Sequence, residues 1–91
     1  MTILAGSIDI TLLYPAGLKA RRKVLSSIKQ KLKNRGVSAI DSSGDRADEG
    51  LIEFCMALHS EADARIWAEK IEKLLEQEAF EYRFDLDWEM I

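Results

Sequence analysis

Apolar and polar residues alternate from Ser7 to Leu12, with Ile8, Ile10 and Leu12 set against Ser7, Asp9 and Thr11. A period of two is that of a strand with one buried face. Tyr14-Pro15-Ala16-Gly17 then punctuates the chain, because proline fixes its own backbone angle and glycine relaxes the next turn. Between Leu18 and Arg35 the spacing changes to three and four. Leu25, Ile28 and Leu32, joined by Val24, line one face of a helix that Gly36 is placed to cap. Residues 37–40, Val37 to Ile40, predict a short second strand, and Asp41 to Gly50, nearly all turn formers and charged residues, predict a mobile loop. Ile52, Phe54, Met56 and Leu58 alternate with Glu53, Cys55, Ala57 and His59 as a third strand. Ser60 and Asp63 form a variant capping box ahead of a second helix, whose stripe is Ala64, Trp67, Ala68, Ile71, Leu74 and Leu75. Ile66 falls outside that stripe. The clearest alternation is the last: Phe80, Tyr82, Phe84, Leu86, Trp88 and Met90 against Glu81, Arg83, Asp85, Asp87 and Glu89.

The order is βαββαβ, and each strand offers one strongly apolar face, so both helices must pack on the same side of one sheet. The expectation is a single α+β domain over residues 1–91, a ferredoxin-like sandwich. Right-handed crossovers give an antiparallel sheet in the order 4-1-3-2. Fully extended, Phe80 to Met90 would reach about 37 Å, well beyond a usual strand. Part of this edge strand is therefore expected to overhang the helices, with Trp88 and Met90 as a homodimer contact.

Composition narrows the class. At 91 residues the chain has room for one small core, and a hydrophobic content of 47% is too high for a disordered segment. No stretch reaches the roughly 18 apolar residues of a membrane span, and Met1 to Ala5 lacks the basic start of a secretory signal, so a cytoplasmic protein is expected. A lone Cys55 forms no internal disulfide and no cysteine-rich zinc site.

The formal net charge of -3 hides an asymmetry that matters more than its sum. Residues 1–35 carry eight lysines and arginines against one acid, Asp9; the remainder carries five against fifteen acids. On a helical wheel Lys19, Arg22, Lys23, Lys29 and Lys33 cluster opposite the apolar stripe, a ridge about 21 Å long. A solvated helix face is the plain alternative. Against it, no acid interrupts Lys19 to Arg35, and Lys19, Arg21, Arg22 and Lys23 crowd the helix start, where each cation costs about 0.3–1 kcal/mol against the helix dipole. A bound anion would offset that cost. The predicted function is contact with a polyanion, RNA or a ribosomal particle, through Lys19, Arg21, Arg22, Lys23, Lys29 and Lys33.

Other chemistry is poorly supported. The opposite sheet face presents Ser7, Asp9, Thr11, Glu53, Cys55, Ala57, His59, Glu81, Arg83, Asp85, Asp87 and Glu89, without an aromatic on which bases could stack as on an RNA-recognition sheet. Cys55 and His59 share that face about 13 Å apart, too far for a nucleophile and its base. Asp85 and Asp87, about 7 Å apart, have the spacing of an inverting carboxylate pair but no pocket-forming insertion around them. In Asp41 to Gly50, Arg46 stands where a calcium loop needs glycine and Ile52 where it needs the bidentate glutamate. A non-enzymatic protein without metal or cofactor is expected. The competing reading is a homodimeric interaction or small-ligand-sensing module of the ACT type, with no nucleic-acid role.

The segment from Tyr14 to Gly36 resembles the YlxP-like family, small bacterial proteins of unknown function. Leu18 and Lys19 fall on the Leu-Lys positions of that family's pattern, Arg21 and Arg22 on its Lys-Arg positions, and Val24 and Leu25 on the hydrophobic pair that follows. Gly17 and Ala20 depart from its Ser and Glu, and the second half follows the family in layout: a polar loop, an apolar strand and a Ser-capped helix. The resemblance implies the ferredoxin-like fold, a dimer, and a link to translation or RNA.

Overall fold

The computed structural model describes residues 1–13, 17–77 and 81–91. It contains β1 (Thr2–Leu12), α1 (Leu18–Lys33), β2 (Ser38–Asp41), β3 (Glu49–Leu58), α2 (Glu61–Gln77) and β4 (Tyr82–Met90). The four strands form one antiparallel sheet in the order β2-β3-β1-β4, the ferredoxin-like arrangement the alternation predicts. The turn at Tyr14-Pro15-Ala16 and the strand position of Phe80 lie outside the described residues.

Register explains the core. Ile8 stands between Ile52 and Leu86, and Leu4 between Met56 and Met90, all on the face beneath the helices. Against them pack Leu25, Ile28 and Leu32 of α1 and Ala64, Ala68, Ile71, Leu74 and Leu75 of α2. α1 lies over β2 and β3, while α2 lies mainly over β1 and β4. α1 closes through Gly36, at φ 81°: its N–H donates to the Lys33 carbonyl and that of Val37 to Leu32, both at 3.0 Å. That pairing, with Val37 and Leu32 buried together, is a Schellman closure. α2 opens as its sequence predicts, the Asp63 N–H donating to Ser60 Oγ at 3.2 Å.

Two strands begin earlier than the alternation marks. β1 starts at Thr2, because Leu4 continues the buried face through Gly6, a position with no side chain to show the period. A methyl at Gly6 would stand 2.7 Å from the tip of the Phe54 ring and against the Asp87 carbonyl oxygen. Gly6→Ala is therefore expected to cost about 1–3 kcal/mol, read as a fall in melting temperature; an unchanged value would contradict this packing. β3 starts at Glu49, inside the expected loop, where Gly50 pairs with Ile10 directly under Leu25.

β4 is the edge strand that the expected order places beside β1. It pairs with β1 from Leu12 down to Leu4, and the ladder continues to Ile91, whose N–H donates to the Ile3 carbonyl at 2.8 Å. Met90 is half-buried and packs against the core of its own chain; Trp88 stays 38% exposed. Among the described residues no helix is long and apolar enough to cross a membrane.

Candidate nucleic-acid interface

Burial of Leu25, Ile28 and Leu32 turns the opposite side of α1 to solvent. Lys19, Arg22, Lys23 and Lys33 are exposed and Lys29 is half-buried. Among the described residues none of these five is ion-paired; the carboxylates of Asp48 and Glu49 are engaged by Arg46, at 3.3 and 3.9 Å. The carboxylate whose field reaches the ridge is Asp41. Its partial burial would raise its pKa, but hydrogen bonds from Ser43, helped by the charges of Lys29 and Arg21, hold it below the ordinary value. The start of α1 has no acid in its first turn, and Gly17, at φ 93°, supplies no side-chain cap. Positive side chains therefore meet the positive end of the helix dipole with no internal compensation.

Arg21 does not belong to this ridge. It is 8% exposed, and its Nη1 donates to the backbone carbonyls of Gly44 at 2.7 Å, Arg46 at 2.5 Å and Glu49 at 3.4 Å. Its Nε is buried with no acceptor. The reason is angular: Arg21 precedes Leu25, Ile28 and Leu32 by four, seven and eleven residues and so falls on the buried stripe. The sequence assigned Arg21 to the interface; the structure makes it a clamp on the segment from Asp41 to Gly50.

That segment is tied down by hydrogen bonds, and its last two residues, Glu49 and Gly50, belong to β3. Three carbonyls converge on one guanidinium, as they would on a cation. Asp41 Oδ1 accepts from the Ser43 N–H and Ser43 Oγ from the Leu51 N–H, both at 2.9 Å, while the Leu12 N–H donates to the Asp48 carbonyl at 2.8 Å.

The open face of the sheet carries the opposite charge. Ser7 stands between Glu53 and Asp87, Ala5 lies beside Glu89, and Asp9 is directly opposite Asp85. Like charges side by side across a strand pair repel each other and any phosphate. A shallow hollow on this face is lined by Glu53, Asp87 and Glu89. Cys55 is exposed on the same face. Among the described residues no three of His, Cys, Asp and Glu are grouped to hold a metal ion.

The helix layer adds cations that the α1 wheel alone does not predict. A cleft of about 310 Å³ between the end of α1 and the flank of α2 is lined by Arg35, Trp67, Lys70, Lys73, Leu74 and Gln77. Among the described residues its wall contains three cations and no carboxylate. Lys70 Nζ sits 4.6 Å from the centre of the half-buried Trp67 ring. A second hollow, about 250 Å³, lies along α1 at Lys23, Ser27 and Lys31, with Glu81 and Tyr82 opposite. Lys23, Ser27 and Lys31 follow one another at four-residue spacing along α1, and Arg35, just past its end, donates from Nη1 to the Lys31 carbonyl at 2.9 Å. The signal was available in α2, where Lys70 and Lys73 lie on one flank with Trp67 and Leu74. Only the packing shows that this flank faces α1.

Residues 3–87 match the model of a family described as a protein of unknown function, DUF503. No curated protein matches the chain.

Proposed function

The chain belongs to the DUF503 family, whose description assigns no activity, and from the geometry we propose a non-enzymatic, polyanion-binding protein that contacts structured RNA, free or in a ribosomal particle, through α1. One observation carries the reading. Lys19, Arg22, Lys23, Lys29 and Lys33 stand on one exposed helix without a carboxylate partner among the described residues, while the open sheet face carries Asp9, Glu53, Asp85, Asp87 and Glu89 and the acids of the helix layer lie on α2. A phosphate backbone approaching α1 meets attraction; approaching the open sheet it meets Asp9, Asp85, Asp87 and Glu53. The resemblance of the α1 segment to the YlxP-like family supports the same reading, and on this account the protein works in the cytoplasm.

Binding of this kind releases counterions, so affinity falls with salt in proportion to the phosphates engaged. Five contacts predict a slope of log K against log salt of about -3.5 to -4.5. Filter retention of structured RNA from 50 to 300 mM salt measures it. A flat dependence, or no retention at 50 mM, contradicts the reading.

The 38% exposure of Trp88 on edge strand β4 favours a second reading, a homodimeric interaction or ACT-like ligand-sensing module joined at Trp88 and Met90. Light scattering at micromolar concentration tests it: a dimer that Trp88→Lys dissociates supports this reading, and a monomeric wild type removes it.

A further inference from the structure

We infer that the cleft between α1 and α2 takes one unpaired base of a bound RNA, stacked on Trp67, with the flanking phosphates held by Arg35, Lys70 and Lys73. This deepens the RNA reading and rests on it. Three observations meet at the site. The first is an aromatic ring that packs against the core yet stays half-buried, so that part of it lines a cleft. The second is that, among the described residues, its polar neighbours in the wall are cations or neutral: Arg35, Lys70, Lys73 and Gln77. α2 does carry Glu69, Glu72 and Glu76, but they lie outside the cleft wall. The third is continuity, because Arg35 lies just past the end of α1 and its Nη1 donates to the Lys31 carbonyl at 2.9 Å, which sets the cleft beside the end of the basic helix.

A chain of phosphates alone explains the cations but leaves the indole without a use. At about 310 Å³ the cleft is at the small end of ligand sites, suited to a single base and not to a duplex. Lys70 now covers the ring. An exposed cation–π contact contributes about 0.5–1 kcal/mol, whereas a base stacked on an aromatic side chain contributes about 1–3 kcal/mol. The base therefore displaces the ammonium, which is freed to meet the adjoining phosphate. An acidic peptide would satisfy the cations but gain nothing from the ring.

The test uses Trp88→Phe protein, in which Trp67 is the sole indole. Its fluorescence is titrated with a hairpin RNA bearing an unpaired loop, a fully paired RNA of equal length, adenosine monophosphate and polyglutamate. Quenching by the looped RNA, absent with the paired RNA and polyglutamate, is the expected result. In the same background Trp67→Leu should weaken looped RNA about tenfold and leave paired RNA unchanged, with Trp67→Phe restoring most of the loss. Retention of both RNAs with equal affinity and no quenching overturns the stacking site while leaving the α1 reading intact. Retention of neither overturns both. Quenching by the mononucleotide as strong as by looped RNA shows a nucleotide pocket and overturns the RNA assignment.

Discussion

Replacing Arg22, Lys29 and Lys33 together by glutamate is expected to abolish retention of structured RNA at low salt. Each lost phosphate contact is worth roughly tenfold in affinity at 50 mM salt, so removing three costs about a thousandfold before the repulsion of the new carboxylates is added. Arg22 and Lys33 are exposed, Lys29 is half-buried, and none is ion-paired among the described residues. The fold therefore loses little, and stability should move by less than about 1 kcal/mol. The separation of the two readouts is the point. Retention within threefold of wild type would show that the ridge is a solvated helix face.

Arg21→Leu should do the reverse. Removing the guanidinium leaves the carbonyls of Gly44, Arg46 and Glu49 without their shared donor and releases the segment they belong to. The expected loss is about 2–3 kcal/mol, since partly buried carbonyls must find water as the segment loosens. For a domain of this size that is a fall of about 10–20 °C in melting temperature. Amide exchange at Ser43 to Glu49 should accelerate more than in the core strands, which separates local release from global unfolding. RNA retention, measured below the melting transition, should be unchanged. A variant that keeps its melting temperature but loses retention would return Arg21 to the interface.

These two residues, neighbours in sequence, show what was legible and why. The alternation at Ile8, Ile10 and Leu12 and from Tyr82 to Met90 fixes two strands and their buried face, because a period of two has one physical meaning on a half-buried sheet. Strand order then follows from crossover handedness. What composition could not show is where polarity is local and position is not. Glu49 and Gly50 read as loop, yet Gly50 is the residue that lets β3 pass beneath Leu25, whose methyl groups a side chain there would meet at 2.8 Å. Arg21 reads as one cation among several, although its spacing from Leu25, Ile28 and Leu32 already places it on the buried stripe. Trp67 reads as core, and half of it is. Its other half lines a cleft that Arg35, in the turn that closes α1, shares with the flank of α2. Met90 reads as a dimer contact, but Leu4, among the five residues of β1 that no alternation announces, stands opposite it and Met90 packs against the core of its own chain.

The central claim is that RNA meets the helix side of the molecule, and amide chemical-shift perturbation on ¹⁵N-labelled protein titrated with a structured RNA tests it most directly. Shifts concentrated at Lys19 to Lys33, extending to Arg35 and Lys70, with Cys55, Asp85 and Asp87 unmoved, are the predicted outcome. Shifts centred on the open sheet face, or none at saturating RNA in 50 mM salt, would contradict it.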